Sequence, residues 1–255
     1  MNLPKIPTTK ENDSRIYLWD GGRYPSVTSI VGMLPKPALQ YWAAKKVAEA
    51  AIELGAERPA TEADFDWLKS APRRDLSQAG KMGTNVHEIV EKLAADEEVY
   101  VPFEAEGFVD GFYTWRDRFS PKWVMAEETV YGEYDDCGYC GSFDAIVNIE
   151  DENWLIDYKT TRSGVHPEVA LQLSAYANAS HVIRPDESVV SLPDIDRLGV
   201  LWLRPDNWSF VEIGDDEAFF DVFGALLKSW HWDNGLAKTA ILPSLGSGGS
   251  HQRPF

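Results

Sequence analysis

At Pro121 the chain changes texture, and that switch limits the possible architectures more than any other feature. Before it, strong helix formers dominate. "PALQYWAAKKVAEAAIELGA" reads as a helix closed by Gly55, and "ATEADFDWLKS" as a short second one with Thr61 as N-cap candidate. "RRDLSQAGKMGTNVHEIVEKLAADEE" gives a third helix despite Gly80 and Gly83, and "EAEGFVDGFYTWRDRF" a fourth that stops before Pro121. After it, "KWVMAEETVYGEY", "GYCGSFDAIVNIE" and "NWLIDYKTT" are β-branched and aromatic runs broken by Gly, Asp and Asn. They are expected as a three-strand antiparallel meander. "PEVALQLSAYANASHVI" returns to helical spacing through Val169, Leu173, Tyr176 and Ala177. "RLGVLWLRP" and "NWSFVEIG" supply two more strands, and "DDEAFFDVFGALLKSWHWDNG" a closing helix. This order predicts an α/β domain: a mixed central β-sheet flanked by helices, with a helical N-terminal elaboration.

The 255 residues, 44% of them hydrophobic, suffice for one substantial core, and no internal linker or repeat announces a second. A single domain is expected over 1–243, comprising an elaboration over 1–79 and a core over 80–232. Residues 1–23 read as a loose arm or edge hairpin, and "LGSGGSHQRPF" makes 244–255 a flexible tail. No apolar run approaches the ~20 residues of a spanning helix, and "MNLPKIPTTKENDSR" lacks a signal peptide's apolar stretch. A soluble, cytoplasmic protein with no membrane partner is expected.

Cys137 and Cys140, the two cysteines, form a lone C-x-x-C that supplies half of a four-thiolate site; they read as reduced thiols in a turn. The formal charge of -17 argues against nucleic-acid binding as a global property. Binding sites are local, however, and positive residues gather between Lys36 and Lys81, including Lys45, Lys46, Arg73 and Arg74. Trp42 beside Lys45 and Lys46 has the composition of a stacking platform on a phosphate track, and equally of a core tryptophan beside a solvated face.

The stretch "WLIDYKTTRSG" is an apolar strand that ends in Asp157, Tyr158 and Lys159. Residues i and i+2 of a strand share a face, so Asp157 and Lys159 project together. Asp144 precedes Asp157 by thirteen positions, so a hairpin brings the carboxylates side by side. Two buried like charges repel, and a hard divalent cation relieves them while leaving positions open for a phosphate. Lys159 is then placed to stabilise charge on that phosphate or to orient its attacker.

Asp144 followed by "IDYK" resembles the D…(D/E)-x-K core of the PD-(D/E)XK nuclease superfamily. "GTNVHEIVE" resembles the helix motif of the RecB-like branch and maps its metal-binding histidine onto His87. "EETV" places the acidic residue before the first core strand at Glu128, with Glu127 as the alternative, and "QLSAY" matches the Q-x-x-x-Y helix through Gln172 and Tyr176. "YPSVTSIVGMLPKPALQYWAA" resembles the opening of RecB-like exonucleases encoded by bacteriophages. The resemblance implies a Mg²⁺- or Mn²⁺-dependent DNA exonuclease acting on ends or single strands, in the host cytoplasm if phage-encoded. His87, Asp144, Asp157 and the Tyr158 carbonyl would hold the metal, Glu128 would stand nearby, and Lys159 would act at the transition state. Gln172, Tyr176, Lys45 and Lys46 would brace the site or contact DNA. Two cysteines cannot build the four-cysteine iron–sulfur cluster of the branch's CRISPR-associated members, which favours a cluster-free enzyme. The acidic surface and ten Trp fit an alternative, a weakly catalytic module that binds DNA or a partner protein in a recombination complex.

Overall fold

The structure, a computed structural model, describes residues 6–12, 14–55, 61–214, 216–242 and 244–245. Asp215 and most of the expected tail, 246–255, lie outside the described residues.

The amino-terminal stretch is a three-stranded antiparallel sheet of β1 (Thr8–Glu11), β2 (Ser14–Trp19) and β3 (Gly22–Pro25). Ser26 then caps α1 (Val27–Val31), its hydroxyl accepting from the Ser29 N–H. Helix α2 (Pro37–Leu54) starts on a proline at its first position and ends at Gly55. The two helices expected over 60–70 and 73–98 are one, α3 (Glu62–Ala94). A reciprocal capping box between Thr61 and Asp64 opens it, and it runs through Pro72, Gly80 and Gly83. One proline removes one backbone hydrogen bond, and the strong helix formers around it carry the helix across. The expected border at residue 80 therefore falls inside a helix.

After α4 (Glu106–Phe119) the expected meander of three strands is five. These are β4 (Lys122–Ala126), β5 (Thr129–Tyr134), β6 (Cys137–Ser142), β7 (Ala145–Ile149) and β8 (Glu152–Lys159). The chain leaves one sheet at Glu127 and returns to it at Asp144. Neither crossing carries a Gly or Pro, so the sequence hides both. The rest comprises α5 (Glu168–Ala177), β9 (His181–Ile183), β10 (Val189–Val190), β11 (Arg197–Leu203), β12 (Trp208–Ile213) and α6 (Glu217–Asn234).

The main sheet is mixed, in the order β12-β11-β8-β7-β4, with β8 and β11 parallel and its other pairs antiparallel. A second sheet runs β10-β9-β5-β6. Alternation along the strands divides the core in two. Ala145, Val147, Ile156 and Tyr158 pack with Val86 and Val90 of α3 and with Phe108, Phe112 and Trp115 of α4. Ile146, Leu155 and Val200 pack on the other face with Ile30 of α1, Leu173 of α5 and Phe223 of α6. Strand β8 is covered on both faces, which explains its unbroken apolar run.

Where α4 crosses the β11–β12 turn, a Cβ on Gly107 would stand 1.8 Å from the Pro205 carbonyl oxygen. Backbone cannot yield as a side chain can. Gly107→Ala is expected to destabilise the fold by ~2 kcal/mol or more, read as a lower urea midpoint at unchanged slope.

Candidate active site

The site is built where β7 begins and β8 ends. The two strands form a hairpin whose tip residues, Glu150 and Asp151, both have positive φ, as a two-residue type I′ turn requires. The register sets Ala145 opposite Ile156, which brings Asp144 beside the end of β8. There the Tyr158 N–H donates to Asp144 Oδ2 at 2.6 Å. Asp157 is buried at 4% exposure, with Lys159 Nζ 2.6 Å from its Oδ2 and the Gln172 amide donating to its Oδ1 at 2.7 Å. The lysine contact is a close ion pair to one oxygen, and a carboxylate oxygen with a single such partner keeps a further lone pair to give.

Helix α3 delivers His87 from the opposite face of the sheet. Its Nδ1 is 3.8 Å from Asp144 Oδ2, and its ring meets Tyr158 edge-on at 6.1 Å. One turn earlier, a Cβ at Gly83 would lie 3.1 Å from Thr160 Oγ1, so glycine lets the helix approach the exit of β8. Burial pushes the His87 pKa down against the pull of Asp157, which leaves a neutral ring with a nitrogen lone pair at neutral pH.

Negative charge is in excess here. Burial, then the charges of Asp157 and Glu127, raise the Asp144 carboxyl well above its ordinary range, only partly opposed by the Tyr158 N–H and by Lys159. The Asp144 side chain remains 16% exposed, open to an arriving ion. Burial pulls the Lys159 ammonium down, but Asp157 and Asp144 outweigh it and the net shift is upward, so Lys159 is charged.

Of the two adjacent glutamates, Glu127 is the one whose charge acts on His87, Asp144 and Tyr158. It adopts positive φ, and its N–H donates to the Asp144 carbonyl at 2.9 Å. Glu128 instead feels Arg184 and Asp186, and burial raises its pKa. The sequence could not separate them, because the change of sheet between β4 and β5 interrupts the alternation that would have assigned their faces. Tyr158 meets the site through its backbone, its N–H donating to Asp144 and a backbone hydrogen bond reaching His87, while its ring is buried against α4.

Gln172 and Tyr176 share a face of α5, with the amide 3.5 Å from the buried phenol. Gln172 thus holds Asp157, and Tyr176 backs Gln172. Gly141 makes room for that phenol, since a Cβ there would be 2.4 Å from the Tyr176 ring. Lys45 and Lys46 lie on α2, where Glu49 is 3.7 Å and 3.1 Å from them and Asp75 of α3 is 3.2 Å from Lys46. They stand in a mixed acid–base row along α2 and α3. Trp42, also on α2, is half-buried. Cys137 and Cys140 lie in β6, not in a turn, and three positions along a strand put them on opposite faces.

Among the described residues, no three His, Cys, Asp or Glu side chains stand together as a ready metal cage, and no helix is long and apolar enough to cross a membrane. The arrangement supplies a pair of adjoining carboxylates, a neutral imidazole and an ammonium at the end of one sheet. No family model and no curated protein matches the chain. A solved structure described as the crystal structure of SSO0001 aligns with a TM-score of 0.35 at 13% identity, over 82% of this chain and 98% of that one.

Proposed function

We propose that the chain is a Mg²⁺- or Mn²⁺-dependent deoxyribonuclease of the PD-(D/E)XK superfamily, RecB-like branch, with a restriction-endonuclease-like core, acting on DNA ends or single strands. The observation that carries the reading is the juxtaposition of Asp144, Asp157, Lys159 and His87 at one sheet end, contributed by β7, β8 and α3. A bare structural ion pair needs only Asp157 and Lys159. It leaves unexplained a second carboxyl, Asp144, set against burial and the charges of Asp157 and Glu127 with only partial compensation from the Tyr158 N–H and Lys159.

The residues fit a hard cation. Mg²⁺ takes one or two carboxylates and keeps water elsewhere, so Asp144 and Asp157 are a sufficient protein contribution without a closed cage. His87 can add its neutral nitrogen, and Glu127 adds negative charge nearby. When bound, the metal supplies positive charge that polarises the phosphoryl group and acidifies water. Gln172 fixes the Asp157 carboxylate in rotation. The Tyr158 N–H does the same for Asp144. Lys159, with 29% of its side chain exposed, presents a fixed positive charge to the oxygen on which charge develops as the phosphodiester breaks.

Purified protein with Mn²⁺ is expected to degrade labelled single-stranded DNA or DNA ends, and EDTA to stop it. A metal-dependent rise in melting temperature without cleavage of any DNA would leave a binding module in a recombination complex. Absence of both would end the metal reading.

A further inference from the structure

The two edges of the main sheet differ in how they are guarded. Strand β4 follows Pro121, begins with Lys122, and shifts register against β7 between Trp123 and Met125. A proline, an edge lysine and a bulge all discourage a further strand from adding. Strand β12, at the opposite edge, has none of them. It reads "WSFVEI", and its ladder to β11 keeps one register from Leu198 opposite Ile213 to Leu203 opposite Trp208. No residue of β12 is fully buried, against five of the seven in β11, so this edge stands open.

The phase of the ladder identifies the groups that the edge presents. The Arg204 N–H donates to the Asn207 carbonyl at 2.9 Å, which makes Arg204 and Asn207 a hydrogen-bonded pair. Bonded and non-bonded pairs alternate along an antiparallel ladder. Ser209, Val211 and Ile213 therefore bond inward to β11, and the N–H and C=O groups of Trp208, Phe210 and Glu212 point outward. Among the described residues, no turn, loop or side chain takes up those three N–H groups.

This pattern is complementary to itself. A two-fold contact uses the same patch on both copies, and an axis through Phe210 sets Phe210 opposite Phe210 and Trp208 opposite Glu212. Every outward-pointing residue then falls in a bonded pair, and each pair exchanges both N–H···O bonds. Charge permits the pairing. Glu212 is the one ionisable residue of the strand, Arg197 holds it at 2.7 Å, and in this register it meets the indole of the second copy rather than another glutamate. Ser209 and Val211 stand opposite each other in the close, non-bonded pairs.

We propose that β12 is the surface through which two copies of this chain associate, their main sheets joining antiparallel into one continuous sheet. The axis reverses strand direction between the copies, so the two β8 ends open on opposite sides of the assembly. The inference stands independently of the nuclease reading.

Sedimentation velocity of the full chain from about 1 to 100 µM tests it, in about 0.5 M NaCl so that repulsion between two acidic chains is screened. The wild type is expected to pass from monomer to dimer over that range. Glu212→Pro removes one outward N–H from each copy and no inward one, as prolines on edge strands do, and is expected to weaken the dimer about tenfold or more. Glu212→Gln keeps the N–H and should associate like the wild type, which separates the backbone bond from the loss of the Arg197 ion pair. The register is read independently by Ser209→Cys combined with Val211→Cys, whose opposed thiols lie within disulfide reach. Oxidation should give a covalent dimer of this protein and not of Ser209→Cys alone, since residue 209 opposes 211 and not itself. A wild type that stays monomeric at about 100 µM overturns the proposal. So does a dimer that keeps full strength in a folded Glu212→Pro protein, or one in which the cysteine pair does not crosslink. If Glu212→Pro does not fold, the crosslink decides alone.

Discussion

Lys159→Ala is expected to lower turnover by ~10²-fold or more while metal and DNA still bind, because the ammonium interacts most strongly with charge that appears only as the phosphodiester breaks. The structure adds a condition to the measurement. Lys159 Nζ is 2.6 Å from Asp157, so removing it strands a buried carboxylate, and breaking a buried pair costs about 3 kcal/mol. The variant should therefore be less stable in EDTA and recover part of that loss in Mn²⁺, where the cation replaces the missing charge. Single-turnover rates at saturating Mn²⁺, taken well below the variant's melting temperature, separate the two effects. A folded, metal-bound Lys159→Ala protein that cleaves at the wild-type rate would refute the assignment.

The β7–β8 hairpin and its paired acids were legible because two strong signals coincided: an apolar run of strand length, and charged residues where burial should have ended. The unity of α3 was not, since Pro72 and two glycines are breakers by propensity, and the helix formers around them together with packing against α2 override them. The change of sheet at Glu127 and Asp144 left no trace either. It is held by the Glu127 N–H donating to the Asp144 carbonyl and the Phe143 N–H to the Glu128 carbonyl, backbone contacts that name no residue type. The same blind spot hid Glu127 as the glutamate whose charge reaches His87 and Asp144.

Net charge was the least informative property, and the turns show why. Asp20 with Gly21, Asp135 with Asp136, and Glu150 with Asp151 form hairpin tips in which both residues take positive φ. Aspartate tolerates that region because its short side chain can bond locally. Part of the acidic surplus thus serves local geometry at hairpin tips, and net charge says little about the end of β8, where Lys159 stands against Asp157.

Asp144→Asn should make the protein more stable without metal and less stable with it, and that crossover separates a cation site from a structural ion pair. Asp157 already has Lys159 as counter-charge, so the carboxylate in surplus is Asp144, whose pKa is raised by burial and by Asp157 and Glu127. A raised folded-state value means the fold holds the proton more tightly than the unfolded chain does. In EDTA the penalty is absent below the ordinary carboxyl range and grows as pH rises through the folded value. Asparagine keeps an oxygen to accept the Tyr158 N–H and carries no charge, so its advantage should vanish near pH 4 and reach ~2 °C or more at pH 8, about 1 kcal/mol for a domain of this size. Metal reverses the order. At about a hundred times its dissociation constant, Mn²⁺ adds ~2.7 kcal/mol to the wild type through binding to the folded state alone, and Asp144→Asn should lose most of that gain. Melting curves of both proteins in EDTA and in Mn²⁺, across pH, give the comparison directly. If the wild type does not respond to millimolar Mn²⁺, or if the variant is the less stable protein even in EDTA, Asp144 is a structural acceptor for the Tyr158 N–H and the cation site does not exist.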